Sequence, residues 1–247
     1  MAGLKDLLRK GETAASHRPW PRVTITAEVW REAIAGLTGG QWQMLGLWGE
    51  PDRVHMALRD ETDETIAVVS LACKGRGYPS VALHHPPALR LERSLRDLFG
   101  IEPLGLPDPR GWLDHGNWDV RYPLATAPDR TPIDKAYAFL PVEGDGLHQI
   151  PVGPVHAGII EPGHFRFTAN GETVVRLEQR LGYVHKGIES LMKGATVEAA
   201  AKLAARTSGD STVAYGFAFA RAVEAALGID APPRAMHLRA LMAELER

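Results

Sequence analysis

The first part of the chain alternates short apolar runs with turn-forming residues, a pattern typical of a domain that mixes helices and strands. Arg22–Ile25 predicts a short strand, and Thr26 is placed to cap a helix over Ala27–Leu37. Turn-forming residues then separate three extended runs, at Gln41–Trp48, Arg53–Leu58 and Thr65–Ala72. These runs predict two consecutive hairpins in an antiparallel sheet.

The middle of the chain begins with a helical pattern and then becomes irregular. Apolar residues recur at helical spacing over Ala88–Phe99, and Gly100 follows the last of them. The chain is then rich in proline and glycine. Residues 126–147 contain three prolines and the segment Gly144-Asp145-Gly146, so we predict a linker there.

After the linker the pattern changes from extended to helical. Phe165–Leu177 alternates around Asn170-Gly171, which is a strong signal for a β-hairpin. Apolar residues then recur at intervals of three and four over Val174–Met192, which predicts a helix ended by Lys193-Gly194. Further helices are predicted at Val197–Ala205, Thr212–Leu227 and Ala235–Arg247.

The helix predicted at Thr212–Leu227 is apolar on nearly every side, and such a helix has to be buried all round. We expect its missing walls to come from another chain or from sequence outside this one. The predicted fold is α+β: an N-terminal α/β domain with an antiparallel sheet, then a β-hairpin followed by an incomplete helical bundle. We place the N-terminal domain at 1–125, the linker at 126–147 and the second region at 148–247.

Composition and charge narrow the classes of function. Hydrophobic residues make up 45% of the chain and charged residues 23%, which are ordinary values for a globular protein. The net charge is −2, so we expect no nucleic-acid partner. No apolar stretch approaches the ~18 residues that a membrane span needs, and the first ten residues lack a signal-peptide core. These features predict a cytoplasmic chain that can still bind a membrane complex.

The single cysteine limits the redox chemistry of the chain itself. Cys73 lies in the apolar run Ala67–Cys73 and is expected to be a buried thiol. One cysteine cannot form a disulfide framework or hold an iron–sulfur cluster, so we predict no cofactor in this chain.

Two motifs in the first region resemble the 30-kilodalton subunit family of respiratory complex I. They are Glu92–Ile101 and Gly105–Arg110, and the usual ending of that family is similar to Arg121–Leu124. Leu106 departs from the family, in which a His is usual at this position. The resemblance implies that the N-terminal domain docks neighbouring subunits of a larger complex.

The second region resembles the start of the large subunit of membrane-bound, energy-converting nickel–iron hydrogenases, to which the 49-kilodalton subunit of complex I is related. The similarity rests on Gly153–His156, Glu161–Phe167 and Gly182–Glu189. A 30-kilodalton-like region followed by a large-subunit region is the arrangement of formate hydrogenlyase-type large subunits.

The resemblance also implies where a metal centre would be held, and the residues there differ. Such hydrogenases bind nickel and iron through Cys-x-x-Cys pairs, because soft thiolates suit these metals. The first pair corresponds to Ser208 and Ser211, and a family His corresponds to Tyr215. The Tyr that complex I offers to quinone falls on Gly209. We therefore predict a relative that keeps the architecture without its own nickel–iron site.

Four residues are candidates for catalysis on the strength of this resemblance: Glu161, His164, Arg166 and Arg206. Glu161 matches the glutamate that passes protons in hydrogenases, with a loop carboxylate as the alternative. Arg166 and Arg206 match arginines near the active centre; they can hold an anion or form structural ion pairs with Glu161 or Asp210.

His156, His164 and His185 leave a metal-binding alternative open. Three histidines can form a zinc site with one open position, but their spacing equally suits structural hydrogen bonding. Stoichiometric zinc or iron in the purified chain would be needed to favour a metal site.

We expect a hydrophilic-arm subunit at the cytoplasmic face of the inner membrane. Its expected partners are an iron–sulfur subunit, whose clusters would handle the electrons, and membrane-arm subunits. A chain that supplies the rest of the large subunit is a further expected partner. The alternative is a non-redox scaffold or a truncated large-subunit fragment without independent activity.

Overall fold

The computed structural model describes residues 3–73, 75, 77–131 and 137–247. Its mixture of helices and separate sheets confirms the predicted α+β fold class. Two compact units are present. The first unit comprises Met1–Leu47, Arg53–Ala72 and Lys186–Arg247, and the second unit comprises Trp48–Asp52 and Cys73–His185. Pro132, part of the predicted linker, lies outside the described residues.

A five-stranded sheet forms the core of the first unit. Its strands occur in the order β1-β2-β5-β4-β3, and all of them except β1 follow predicted runs. They are β1 (Glu12–Thr13), β2 (Arg22–Ile25), β3 (Trp42–Glu50), β4 (Arg53–Asp60) and β5 (Ile66–Ala72). The strands β4 and β5 form the predicted antiparallel hairpin, while β2 pairs β5 in parallel. The sheet is therefore mixed, because the chain passes through α2, β3 and β4 after β2 and enters β5 in the same direction as β2.

Helix α2 (Ala27–Thr38) begins where its capping residue predicted. The Thr26 hydroxyl accepts a hydrogen bond from the Val29 backbone N–H at 3.4 Å. The helix buries Trp30 and Ile34 among its core residues. Before the sheet lies a further short helix, α1 (Leu4–Leu8), whose first backbone N–H donates to the Asp60 carboxylate at 3.1 Å.

The second unit begins with a helix flanked by two short parallel strands. These elements are β6 (Gly77–Pro79), α3 (Leu89–Phe99) and β7 (Glu102–Leu104). Helix α3 ends at Gly100, which adopts a left-handed conformation with φ 68°. A side chain at this position would also collide with the Tyr122 ring, so both the backbone and the packing favour glycine.

A three-stranded antiparallel sheet completes the second unit. Its strands are β8 (Leu147–Val152), β9 (His164–Asn170) and β10 (Thr173–Arg180), in the order β10-β9-β8. The Asn170-Gly171 hairpin is confirmed. The predicted helix over Val174–Met192 is wrong up to residue 187, because residues 173–180 pair with β9 and residues 181–187 are not helical; only Ile188–Met192 forms a helix. A bulge between Val174 and Arg176 lets the apolar residues of β10 mimic helical spacing.

Helices dominate the end of the chain. They are α4 (Ile188–Met192), α5 (Val197–Ala204), α6 (Thr212–Leu227) and α7 (Pro233–Glu246). Arg239 on α7 pairs with Glu224 on α6 at 2.6 Å. The Glu246 carboxylate accepts hydrogen bonds from the N–H groups of Val213 and Ala214 at the start of α6. These contacts hold α6 and α7 together as a helical hairpin.

The helical hairpin α6–α7 leaves several large apolar residues exposed, among them Leu227, Leu241 and Leu245. Neither helix contains a buried residue, although α6 is mostly apolar. Among the helices of the described residues, none is both long and apolar enough to span a membrane.

Candidate functional site

The structure brings two of the four candidate residues together on strand β9. His164 and Arg166 are two residues apart and therefore lie on the same face of the sheet. The ring of Phe139 contacts both, with its centroid 5.2 Å from the His164 ring and 3.8 Å from the Arg166 guanidinium carbon. An aromatic ring against a cation and an imidazole holds both side chains in defined orientations.

His164 is buried, and its imidazole is incompletely hydrogen-bonded. Its Nδ1 lies 3.5 Å from the Gly153 carbonyl oxygen. Its Nε2 is shielded from solvent and has no hydrogen-bond partner among the described residues. A buried polar atom in this state is costly, so the side chain is a reasonable candidate for a role beyond packing.

His156 and His185, the other two histidines of the metal-site alternative, each contact a neighbouring residue. His156 Nε2 donates to the Gly163 carbonyl oxygen at 2.7 Å, and the His185 ring stacks at 4.9 Å from Trp118. Within the described residues, no group of three or more His, Cys, Asp or Glu side chains is placed to hold a metal ion.

Glu161 lies in the loop that leads into β9, and it is exposed to solvent. The same loop exposes Val155, Ile159 and Ile160. Exposure places Glu161 in water rather than in the dry environment of a proton-relay site. Its proposed role in proton transfer stays a prediction.

Arg206, Ser208 and Ser211 belong to the first unit, whereas Glu161, His164 and Arg166 belong to the second. Arg206 is exposed just after α5, and Gly209–Ser211 form a short 3-10 helix before α6. The Ser208 carbonyl accepts a hydrogen bond from the Thr212 hydroxyl at 3.3 Å. The side chains of Ser208 and Ser211 carry hydroxyl groups.

A buried ion pair that the sequence analysis missed lies beside Arg166. Arg110 donates to Glu178 Oε1 on β10 at 2.6 Å, and Glu178 is only 5% exposed. In the antiparallel register, Glu178 is the direct cross-strand partner of Arg166. Arg110 belongs to the motif resembling the 30-kilodalton family, but no local pattern indicates a partner 68 residues away.

Arg110 is itself held by a second carboxylate. Its Nη2 and Nε donate to the two oxygens of Asp108 at 2.7 and 2.8 Å. The hydrogen bond to Asp108 is the largest cause that raises the pKa of Arg110, so the group stays charged. Burial tends to raise the pKa of Asp108, but the hydrogen bonds from Arg110 outweigh it and lower that pKa.

The motif on helix α3 fixes the loop that carries Arg110. Arg93 is buried and donates to the carbonyl oxygens of Arg110 and Gly111, each at 2.8 Å. Asp97 Oδ2 accepts from the backbone N–H groups of Trp112 and Leu113 at 2.7 and 2.8 Å. These charge-assisted bonds explain physically why the motif contains an arginine and an aspartate four residues apart.

The same loop contacts the end of β10 at two further points. His115 Nε2 donates to the Leu181 carbonyl oxygen at 2.7 Å. Gly182 packs so closely on Leu113 that a side chain there would overlap its carbonyl oxygen. Beside this contact lies a cavity of about 570 Å³ whose lining includes Arg96, Arg110, His115, Arg121, Tyr122 and Tyr137.

The motif residues on α3 and in the Arg110 loop agree with a match to a known family. Residues 25–131 match the family model of the respiratory-chain NADH dehydrogenase 30-kDa subunit. The predicted resemblance of the first region is thereby confirmed.

The relatives extend the similarity beyond this domain. The chain is 35% identical over 206 residues to Hydrogenase-4 component G of Escherichia coli (strain K12), covering 78% of this chain and 37% of that protein. It is 37% identical over 180 residues to Formate hydrogenlyase subunit 5 of the same organism, covering 69% and 32%. It is 27% identical over 259 residues to the NADH-quinone oxidoreductase C/D subunit of Phocaeicola vulgatus, covering 92% and 50%.

The chain is thus homologous to subunits of hydrogenases and of NADH-quinone oxidoreductase. It spans about a third of the length of the two Escherichia coli relatives. The relationship to both groups confirms the predicted homology, and the fused arrangement of the two regions stays a prediction.

Proposed function

We propose that this chain is a hydrophilic-arm subunit of a membrane-bound oxidoreductase complex related to complex I and to energy-converting hydrogenases. The observation that carries the proposal is homology to hydrogenase and formate hydrogenlyase subunits over more than two thirds of the chain. The complex would act at the cytoplasmic face of the inner membrane. Electrons would pass through the iron–sulfur clusters of a partner subunit.

We further propose that this chain holds no nickel–iron centre of its own. Its single cysteine, Cys73, is buried in the second unit. The positions that correspond to the first metal-binding pair carry Ser208 and Ser211 in the first unit. A serine hydroxyl stays protonated near neutral pH and is a poor ligand for a soft metal centre, so the residues present do not fit the metal.

Exposed apolar surface supports the proposal of protein partners. On α6–α7, Leu227 is 64% exposed, Leu241 56% and Leu245 78%. On the sheet of the second unit, Ile150 and Leu177 are both aligned with Phe167 and are each 45% exposed. Exposed apolar side chains grouped in this way are typical of interaction surfaces.

The test is native mass spectrometry of the tagged chain after mild solubilisation from its own membranes. We expect a large assembly that contains an iron–sulfur subunit and membrane subunits. A lone chain, or one that only aggregates, would contradict the proposal and favour a non-redox scaffold or a truncated fragment.

Metal analysis of the same preparation tests the second part of the proposal. We expect iron to follow the partner subunit and nickel to be absent from this chain after it is separated from the complex. Nickel bound to the isolated chain in stoichiometric amount would overturn the proposal.

A further inference from the structure

Arg110 lies in a loop of the 30-kDa-subunit-like domain. One carboxylate, that of Glu178, connects this loop to the candidate residues on β9. Arg110 Nη1 donates to Glu178 Oε1 at 2.6 Å and to the Ala138 carbonyl oxygen at 3.1 Å. The Leu140 backbone N–H donates to the same Glu178 oxygen at 3.1 Å. The ion pair therefore fixes the backbone on both sides of Phe139.

Phe139 connects this anchored backbone to the candidate residues His164 and Arg166. Its ring packs on the Arg166 guanidinium at 3.8 Å and on the His164 ring at 5.2 Å. Glu178 also faces Arg166 directly across the β9–β10 pair. Both candidate side chains thus depend on a phenyl ring whose backbone is anchored by Glu178.

The chemistry of Glu178 suits an anchor. A buried carboxylate needs charge-assisted donors, and Oε1 receives two of them. Arg176 Nε approaches Oε2 at 3.4 Å, and Oε2 has no hydrogen-bond partner in the described part of the chain. Arg110 is in turn fixed by Asp108, so the direction of the guanidinium is set within the 30-kDa-subunit-like domain.

We propose that Glu178, held by Arg110, is a positioning residue through which the 30-kDa-subunit-like domain sets the orientation of His164 and Arg166. The inference goes beyond the proposed function and takes His164 and Arg166 as candidate residues on the strength of the family resemblance. It means that the site on the β-sheet is complete only when the Arg110 loop is docked on β10.

The experiment follows the imidazole C–H signals of His164 by two-dimensional NMR in the full chain, which has 10 histidines. A His164→Gln variant assigns the signal, and a Phe139→Leu variant defines its position without the aromatic ring. We expect Glu178→Gln and Arg110→Gln to move the His164 signal towards its position in Phe139→Leu. Arg110→Lys, which retains the charge, is expected to restore part of the original position.

Two matched variants separate positioning from general loss of stability. Glu92→Gln removes a charge from another buried glutamate of the second unit, and Glu172→Gln removes one from an exposed glutamate on the β9–β10 hairpin. Both are expected to leave the His164 signal in place. The proposal is overturned if Glu178→Gln folds and leaves the signal unmoved, or if Glu92→Gln moves it equally. Because the readout uses the isolated chain, it is independent of whether the chain assembles into a membrane complex.

Discussion

At the scale of single residues, buried polar side chains set how the protein responds to its solution conditions. His55 on β4 is completely buried and hydrogen-bonds through Nδ1 to the Ser70 hydroxyl at 2.8 Å, while Arg22 donates to the same hydroxyl. Burial, and then the nearby charges of Arg22 and Arg53, lower the pKa of His55 to about 3. The folded protein therefore keeps this imidazole neutral.

The first prediction concerns stability against pH. Because the folded-state pKa of His55 lies below its usual unfolded value of about 6.5, its contribution to stability is full above pH ~6.5 and is lost as the pH falls towards 3. We expect the unfolding free energy to decrease by up to ~1.4 kcal/mol per pH unit from this group. Urea unfolding at several pH values measures it. His55→Gln should flatten this dependence, whereas the exposed His148→Gln should retain it.

The second prediction concerns the buried ion pair. Arg110→Gln leaves the Glu178 carboxylate buried without its main partner, so we expect the unfolding free energy to fall by ~3–5 kcal/mol. Glu178→Gln removes the charge but keeps the shape, and its cost should be smaller. Thermal and urea unfolding measure both. The exposed Arg130→Gln is the control, and an equal loss in that variant would refute the specific role of Arg110.

At the scale of elements, helix caps and tight turns are set by residues close in sequence, whereas strand pairing is set by tertiary contacts. The Thr26 cap, the Asn170-Gly171 hairpin and the glycine ends of α3 and α6 could be predicted because each depends on residues close in sequence. The extent of β10 beyond Leu177 could not, because the apolar spacing from Val174 onwards fits a helix as well as a strand. Pairing with β9 along residues 173–180 decides between them.

The third prediction concerns the end of β10. Gly182 has φ 82°, and a side chain there would overlap the Leu113 carbonyl oxygen. Gly194 has a similar φ of 77° with no neighbouring atom in reach. Gly182→Ala should therefore lose ~1–2 kcal/mol for the left-handed backbone plus ~1–3 kcal/mol for the overlap, and Gly194→Ala only the former. Equal losses in thermal unfolding would disprove the close contact.

The fourth prediction concerns the α6–α7 hairpin. The Glu246 carboxylate accepts from two N–H groups at the start of α6, where the helix dipole also favours negative charge. Glu246→Gln should lower the unfolding free energy by ~0.5–2 kcal/mol, as the loss of a helix cap does. Glu244→Gln, on the same helix and largely exposed, serves as the control and should have little effect.

At the scale of the whole molecule, the uncovered apolar helices link the fold to assembly. Helix α6 contains no buried residue, and the expectation that its walls come from outside the chain stays a prediction. A mostly apolar helix that the chain leaves partly exposed gains stability when another surface packs on it.

The fifth prediction tests this link. Leu241→Glu combined with Leu245→Glu adds charge to the exposed side of α7, where both leucines are more than half exposed. We expect the variant to fold alone but to be lost from the membrane assembly seen by native mass spectrometry. Lys202→Glu on α5 is the matched control for added negative charge and should assemble normally. Assembly of the leucine variant would show that α7 is not a partner surface.

By itself the sequence determined the fold class, most helices and strands, the two family motifs and the lack of paired cysteines, because these features depend on local periodicity or on residue identity. Only the tertiary structure decided that Arg110 meets Glu178, that Phe139 packs between His164 and Arg166, and that Glu161 is exposed. Such contacts join residues far apart in the chain, and their energy depends on burial and on the direction of hydrogen bonds, which no local pattern encodes.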